Sequence, residues 1–272
     1  MARFEDARSE LIDRVIEHVI ERLPKDESPL VKEFLNQYYL SVSADDLSSR
    51  TLLDLYGASV AHWHFILQRK KHQTKVRVYN PQLEEHGWQS SHTIVEIIHD
   101  DMPFIVDSVR MTLTRLDINV HLIMHMGGMC FTRDQDGKIT EVLPLRSEPK
   151  KNEVLETPIF IEVDKQSDPK ILDKIKKEIL NVLNEVTVVV DDWRKMQAKL
   201  KESSAALKKD TSKKTPELDE TIKLLNWLGD NHFTFLGYAK YVYDDTGVDN
   251  CLRYDEATGL GIFSEGAVVS KR

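Results

Sequence analysis

The chain has 272 residues, of which 41% are hydrophobic and 30% charged, and its formal net charge is −8 at pH 7. This length predicts about two domains, with cores large enough to need no disulfide or metal. The negative charge argues against nucleic acids and anionic membranes as partners. No apolar run approaches the roughly 20 residues that a membrane-spanning helix needs, and the charged amino terminus fits neither a signal nor a transit peptide. We therefore expect a cytoplasmic protein.

The amino-terminal quarter of the chain has the apolar spacing of helices. Apolar residues three and four apart predict a first helix that ends at Pro24. Ser28, which precedes a proline, predicts the N-cap of a second, short helix. Ser43 and Asp46 form a variant of the capping box and predict a third helix that reaches about Arg69.

Beyond these helices the pattern changes to alternation and short β-branched runs, which are typical of strands. The order is strand, helix, strand, hairpin, strand and long helix, with one added strand in front. The predicted strands cover residues 74–79, 93–98, 118–126, 129–133, 139–143 and 157–163. An antiparallel sheet with helices on one face buries the apolar stripes of these helices. The sequence therefore predicts an α+β fold, in which a ferredoxin-like βαββαβ sandwich follows the helical segment.

The long helix is predicted against local propensity. Residues 186–190 are four valines and a threonine, which alone would indicate a strand. Apolar residues nevertheless recur three and four apart from Leu172 to Leu200, and a single helix of about thirty residues explains all of them. Such a helix is about 45 Å long, so we expect its far half to pack on the amino-terminal helices or on another chain.

The remainder of the chain suggests a linker and an incomplete domain. Residues 201–216 are rich in Lys, Ser and Thr, which is typical of a mobile linker. One helix and two or three strands follow, with a hairpin turn near residues 244–247, and these are too few for a core of their own. The predicted domains are a helical segment, the sandwich, the linker and the truncated start of a second α+β domain, at residues 1–72, 73–200, 201–216 and 217–272.

The turn between the first sandwich strand and its helix, at residues 99–107, is the candidate ligand pocket. A helix start presents unpaired N–H groups to anionic groups. The competing interpretation is that Asp100 and Asp101 simply cap the helix and stabilise its dipole. Asp101 can also receive an ammonium group, whereas Pro103 lacks an N–H for a carboxylate. A zwitterionic amino acid therefore fits this turn better than phosphate.

No other motif in the sequence identifies a catalytic site. The histidine pairs 62/64 and 121/125 are spaced so that neither can chelate one ion. The sequence Gly259-Leu-Gly261 lacks the third glycine of a dinucleotide fingerprint, and no nucleophile-elbow motif is present. We expect neither metal, cofactor nor catalytic residues in this chain.

Several long strings of residues carry a resemblance to a known family. They are Arg50–Ala58, His62-Trp63, Asn80-Pro81, His86–Ser90, His92-Thr93, Asp100–Val109 and Asp230–Tyr238. Together these strings resemble the amino-terminal region of the large bacterial NAD-specific glutamate dehydrogenases. The resemblance implies that the chain is the front piece of a long polypeptide, whose catalytic part lies far toward the carboxyl end and uses NAD.

The resemblance also implies ACT-type modules, which are βαββαβ sandwiches that pair and bind amino acids as allosteric effectors. It places the effector at the turn, with the next strand entering opposite it. The residues implied are Asp100, Asp101, Met102, Pro103, Phe104, Ile105, Asn119 and Val120. Phe104 departs from the ACT pattern, because a glycine typically follows this proline.

The function implied is that of a non-catalytic regulatory and assembly segment. The parent enzyme would convert L-glutamate to 2-oxoglutarate and ammonia. The expected partners are the rest of the polypeptide, further copies in a homo-oligomer and a small amino-acid effector. The alternative is a purely structural oligomerisation module without any ligand.

Overall fold

The computed structural model describes residues 2–48, 50–145, 147–149, 153–209, 215–244 and 251–264. The chain divides into two compact units, residues 1–180 and 181–272. The four predicted domain ranges stay predictions. In the residues described, no helix combines the length and the apolar character that crossing a bilayer requires.

The first unit begins with the predicted helices. They are α1 (Ala2–Ile20), α2 (Ser28–Tyr38), α3 (Ala44–Ser48) and α4 (Leu52–Leu67). The third predicted helix is in fact two, because Thr51 starts a new helix: its hydroxyl accepts the Asp54 N–H at 3.2 Å and donates to the Asp54 carboxylate at 2.7 Å. The predicted capping of α2 by Ser28 is wrong, since the Ser28 hydroxyl donates to the carbonyl of Pro24 at 3.0 Å.

The predicted sheet is present in the first unit, and all its strand pairs are antiparallel. The strands lie in the order β1-β2-β6-β4-β5, and β3 also pairs with β6. Their bounds are β1 (Lys75–Tyr79), β2 (Thr93–Asp100), β3 (Val120–His125), β4 (Met129–Arg133), β5 (Ile139–Val142) and β6 (Leu155–Val163). A short helix, α5 (Leu83–His86), lies between β1 and β2, and α6 (Ile105–Arg115) lies between β2 and β3.

Helices cover this sheet on both faces. Residues of β2 and β6 such as Ile94, Ile98 and Phe160 belong to one core cluster with Phe34 and Trp63 of the amino-terminal helices. The alternate residues of the same strands are equally buried on the other face. We infer that α6 and the start of the next helix cover that face, since their apolar residues Ile105, Val109, Leu113, Ile175 and Ile179 are also buried. The sandwich is therefore three layers deep, one layer more than expected.

The valine-rich segment is helical, as predicted. It lies within α7 (Pro169–Lys209), where the Asp168 carboxylate caps the first turn by accepting the Lys170 N–H at 2.9 Å. The helix extends further than predicted, because α7 continues to Lys209, into the first half of the segment predicted as a linker, and the Ser204 hydroxyl there donates to Asn226 at 3.0 Å. Residues 210–214 of that linker lie outside the residues described.

The second unit contains the rest of α7, then α8 (Pro216–Trp227), a turn of π-helix and the strands β7 (Gly237–Asp244) and β8 (Cys251–Gly261). The two strands pair antiparallel. The predicted turn at 244–247 lies almost entirely outside the described residues, which stop at 244 and resume at 251. The far half of α7 was expected to pack on the amino-terminal helices or on another chain. That expectation stays a prediction. Within the second unit, Asp192 of α7 accepts the Gly261 N–H at 2.9 Å.

Candidate functional site

The turn that the sequence singled out connects β2 to α6, and Asp100 begins it. The Asp100 carboxylate receives Arg69 Nη2 at 2.6 Å and His72 Nδ1 at 2.5 Å. Partial burial alone would raise the pKa of Asp100, but the hydrogen bonds from His72 and Arg69 outweigh it and lower the pKa. Asp100 is thus an ionised anchor for Arg69 and His72, and the interpretation that it caps α6 is wrong.

Asp101 is an exposed carboxylate at the same turn. Its backbone N–H donates to the carbonyl of Leu155 at 2.7 Å, which ties the turn to β6. Its side chain lies beside Gly127, where an added Cβ would be 3.1 Å from Asp101 Oδ1. Burial lowers the pKa of the neighbouring His125, and the Asp101 charge opposes that shift. Asp101 does not cap α6 either, so its carboxylate is available to an ammonium group.

Phe104 occupies the helix start in an unusual conformation. Its φ is +73°, in the left-handed region, and no side chain caps α6. A bulky residue is rare there, whereas glycine is at ease. The backbone therefore has a conformation that glycine adopts without strain, although the residue is phenylalanine. Its ring is 47% exposed, while Ile105 behind it is 2% exposed.

The structure does not bring Asn119 and Val120 to this turn. Val120 is in register with Val163, which pairs with Thr93 at the start of β2. Asp100 lies at the other end of β2, about 23 Å away at 3.3 Å per residue. Asn119 donates from its backbone and its side chain to Asp164 Oδ2, at 3.1 and 2.7 Å. The residues of the predicted site therefore lie in two separate places within one chain.

The histidines are engaged in separate contacts. His62 is fully buried and lies 3.3 Å from Glu96, while His121 Nε2 lies 2.7 Å from Asp164 Oδ1. His99 Nδ1 lies 2.8 Å from the carbonyl of Asp100. Among the residues described, no three His, Cys, Asp or Glu side chains are grouped to hold a metal ion. Gly259 lies inside β8 rather than at a strand-to-helix turn, so the described geometry is not that of a dinucleotide-binding loop.

A buried charge network behind the turn was missed by the sequence reasoning. Arg69 bridges Asp100 and Glu156, with Nη1 3.0 Å from the Glu156 carboxylate. Arg133 makes a bidentate pair with the same carboxylate at 2.7 and 2.9 Å and donates to carbonyls at the end of α4. Isolated arginines have no periodic signature, so the only sequence signal was the basic run at residues 69–71.

A cleft of about 770 Å³ was also missed, although the quoted strings contain much of its lining. Arg50, Trp88 and His92 line it, and Leu122 and Met124 from β3 lie at its apolar side. Arg50 pairs with Glu162. Trp88 packs against Gly57 so closely that an added Cβ would be 2.3 Å from the Trp88 Cβ. The volume suits a small molecule, but the mixed charges define no ligand class.

Taken together, the βαββαβ order, the antiparallel sheet and the turn before α6 define an ACT-like domain preceded by its own helical layer. A family model described as the glutamate dehydrogenase ACT1 domain matches residues 34–179, more than half of the chain. The chain belongs to this family, and the resemblance seen in the sequence is confirmed.

Two curated relatives agree with this assignment. An NAD-specific glutamate dehydrogenase of Halomonas elongata is 40% identical over 265 residues, which are 95% of this chain and 16% of the relative. One of Pseudomonas aeruginosa is 39% identical over 236 residues, 86% of this chain and 14% of the relative. The chain thus spans about a sixth of the length of these relatives.

Proposed function

We propose that this chain is a regulatory and assembly segment of a cytoplasmic NAD-dependent glutamate dehydrogenase. The parent would oxidise L-glutamate to 2-oxoglutarate and ammonia, with NAD bound in its catalytic part. The family match carries this proposal, and the two relatives named for that activity support it. If the purified 272-residue chain alone reduced NAD with glutamate, the proposal would be overturned.

We further propose that an amino acid binds at the turn of residues 100–105. The observation that supports it is the start of α6, whose N–H groups have no side-chain cap and can receive a carboxylate. Asp101 is exposed beside it and can receive the ammonium group. Phe104 is held there in a strained conformation, and such strain clusters at functional sites. Asn119 and Val120 would take part only from a second copy.

Calorimetry on the 272-residue chain with the common amino acids tests this site. At least one amino acid should release heat on binding, and Asp101→Ala should remove that heat. Asp107→Ala is the matched control, because Asp107 is an exposed aspartate in the first turn of the same helix and should leave binding intact. Equal heats for wild type and Asp101→Ala, or no heat with any amino acid, would contradict the proposal.

A structural role without ligand is the second candidate. It is favoured by the exposed apolar side chains of the second unit, among them Trp227 at 51%, Phe233 at 53% and Tyr243 at 58% exposure. Large exposed aromatic residues are typical of interaction surfaces. Light scattering should then show an oligomer that Trp227→Ser/Phe233→Ser dissociates. Leu53→Ser, at a 66% exposed position of α4, should leave the mass unchanged.

A further inference from the structure

A second cleft, of about 290 Å³, opens where the chain leaves α4. We call it the Arg69 cleft. It lies between residues 69–71, the β4–β5 hairpin and the start of β6, and four cations line it: Arg69, Lys70, Lys71 and Arg133. None of the residues implied by the family resemblance lines it.

The carboxylates of the Arg69 cleft are already engaged. Glu156 is shared by Arg69 and Arg133. Asp134 accepts two backbone N–H groups of its own hairpin, at 3.0 and 2.8 Å. Glu153 accepts the hydroxyl of Thr132 at 3.0 Å. Four cations thus face three carboxylates in the lining, and a fourth carboxylate, Asp100, pairs with Arg69 from outside it.

Arg69 carries the strongest indication of a missing partner. Its side chain is 1% exposed. Nε donates to the carbonyl of Gln73 at 2.6 Å and Nη2 donates to Asp100 at 2.6 Å. Nη1 lies 3.0 Å from Glu156, but not in hydrogen-bonding geometry, and it has no hydrogen-bond partner among the residues described. Buried N–H donors without an acceptor are costly, and an oxygen atom within the cleft would satisfy them.

Several cations lie near Lys75, which follows the Arg69 cleft in the sequence. Burial lowers the pKa of Lys75, and the charges of Arg133, Arg77 and Arg69 lower it further, while the charge of Glu96 opposes the shift. The ammonium groups of Lys70 and Lys71, at the rim, add to this field. An anion that enters the Arg69 cleft therefore meets guanidinium and ammonium donors together.

We propose that the Arg69 cleft binds a small anion with several negatively charged oxygens, such as inorganic phosphate or a short dicarboxylate. The anion accepts hydrogen bonds from Arg69 Nη1 and is flanked by Lys70 and Lys71. The volume of about 290 Å³ admits a molecule of that size. This site is separate from the proposed amino-acid turn, but the two share Arg69, which also binds Asp100. Occupancy of one site is therefore linked to the other.

Titration calorimetry of the 272-residue chain with inorganic phosphate and with succinate tests the proposal. At least one probe should bind with a stoichiometry of one. Lys70→Gln/Lys71→Gln should weaken that binding about tenfold or more, as expected for the loss of charge-assisted hydrogen bonds. Binding of phosphate alone assigns the site to a tetrahedral oxyanion, and binding of succinate alone assigns it to a dicarboxylate.

Lys176→Gln/Lys177→Gln is the matched control, because it removes two adjacent exposed lysines from α7 and should leave binding unchanged. An equal loss in both double variants, or no binding of either probe by the wild type, would overturn the proposal. In NMR spectra, the Arg69 guanidinium signals should also shift on addition of the bound probe, and unshifted signals count against the site. Asp101→Ala should keep anion binding, which separates this test from that of the amino-acid turn.

Discussion

Phe104 is the residue at which backbone strain is concentrated near the proposed amino-acid turn. A residue with a Cβ in the left-handed region costs roughly 1–2 kcal/mol relative to glycine. Phe104→Gly and Phe104→Ala both remove the half-exposed ring, but only the glycine variant relieves the strain. We expect Phe104→Gly to be more stable than Phe104→Ala by about 1 kcal/mol in urea unfolding. Equal stabilities would show that the turn adapts to a Cβ.

Glu96 is the residue through which acid should weaken the first unit. It is fully buried, with His62 Nδ1 3.3 Å and Arg77 Nε 2.5 Å from its oxygens. Desolvation alone would raise the pKa of Glu96, but the hydrogen bonds and charges of His62 and Arg77 outweigh it and lower the pKa below the usual 4.5. The resulting stabilisation is complete above the unfolded pKa and is lost as the pH falls through the folded pKa.

Glu96→Gln should therefore destabilise the chain at neutral pH, and the difference from wild type should shrink as the pH falls below about 4.5. Urea unfolding at a series of pH values measures this difference. Glu84→Gln, at an exposed position of α5, should leave the wild-type profile unchanged. A difference for Glu96→Gln that does not vary with pH would refute the assignment.

At the scale of single residues, the sequence predicted which positions are apolar and buried but not which charges are. Glu96 stands in a β-branched run, and its partners, the buried His62 and the partly exposed Arg77, come from α4 and β1. Asp100 and Asp101 were weighed as helix caps, yet Asp100 instead binds Arg69, 31 positions away. Long-range ion pairs leave no local pattern, and their positions depend on the completed fold.

Among the elements, α4 and the β1–β2 loop depend on a glycine for their contact. An added Cβ at Gly57 would lie 2.3 Å from the Trp88 Cβ, and neither atom is the end of a flexible side chain. Gly57→Ala should destabilise the chain by about 1–3 kcal/mol, although alanine is the better helix former. In a Trp88→Gly background the same substitution should be neutral or stabilising. Thermal unfolding of the four proteins of this cycle tests the contact, and an additive result would refute it.

The β4–β5 hairpin is joined to α4 and β6 by Arg133. Its side chain is 11% exposed and that of Glu156 is 3% exposed, so removing the guanidinium leaves a buried carboxylate with Arg69 alone. Arg133→Met should cost about 3 kcal/mol in urea unfolding. Lys138→Met is the control, because its ion pair with Glu27 is long, at 3.8 Å, and the Lys138 side chain is 49% exposed. It should change stability by less than about 0.5 kcal/mol, and a similar cost for both variants would contradict the role of Arg133.

Helices and strands were predicted well wherever one period of apolar residues continued without interruption. The nine apolar residues of α7 identified the segment 186–190 as helical despite its valines. The prediction failed where side-chain chemistry interrupts a pattern, as at Thr51, which divides the third predicted helix into α3 and α4. The end of α7 was also misjudged, because a composition rich in Lys and Ser is compatible with a solvated helix as well as with a linker.

At the level of the whole molecule, a destabilising substitution in one compact unit should unfold that unit and leave the other folded. Met196 is 2% exposed within the second unit, and a buried charge there is strongly unfavourable. Met196→Glu should abolish hydrogen-exchange protection of β7 and β8 while β2 and β6 remain protected. Hydrogen exchange measured by mass spectrometry reports the protection of both units in one experiment. Loss of protection in both would show that the chain unfolds as a single cooperative body.

The overall architecture was predictable because the order of strands and helices limits the ways to bury their apolar faces. The α+β class, the antiparallel sheet and the added edge strand followed from that order. The covering of the second sheet face by the amino-terminal helices did not, since spacing identifies an apolar stripe but not its partner. The separation of Asn119 and Val120 from the turn follows from the strand register, which no local pattern specifies.

The position of β1 has a consequence for biosynthesis. It precedes the sandwich in the sequence and fills the sheet edge next to β2, so that the sheet needs no strand from beyond α7. Once residue 163 has emerged from the ribosome, every strand of this six-stranded sheet is available, together with the helices of its amino-terminal face. Because domains fold as units in the order in which they are made, the sheet can close while the rest of the chain is still being translated.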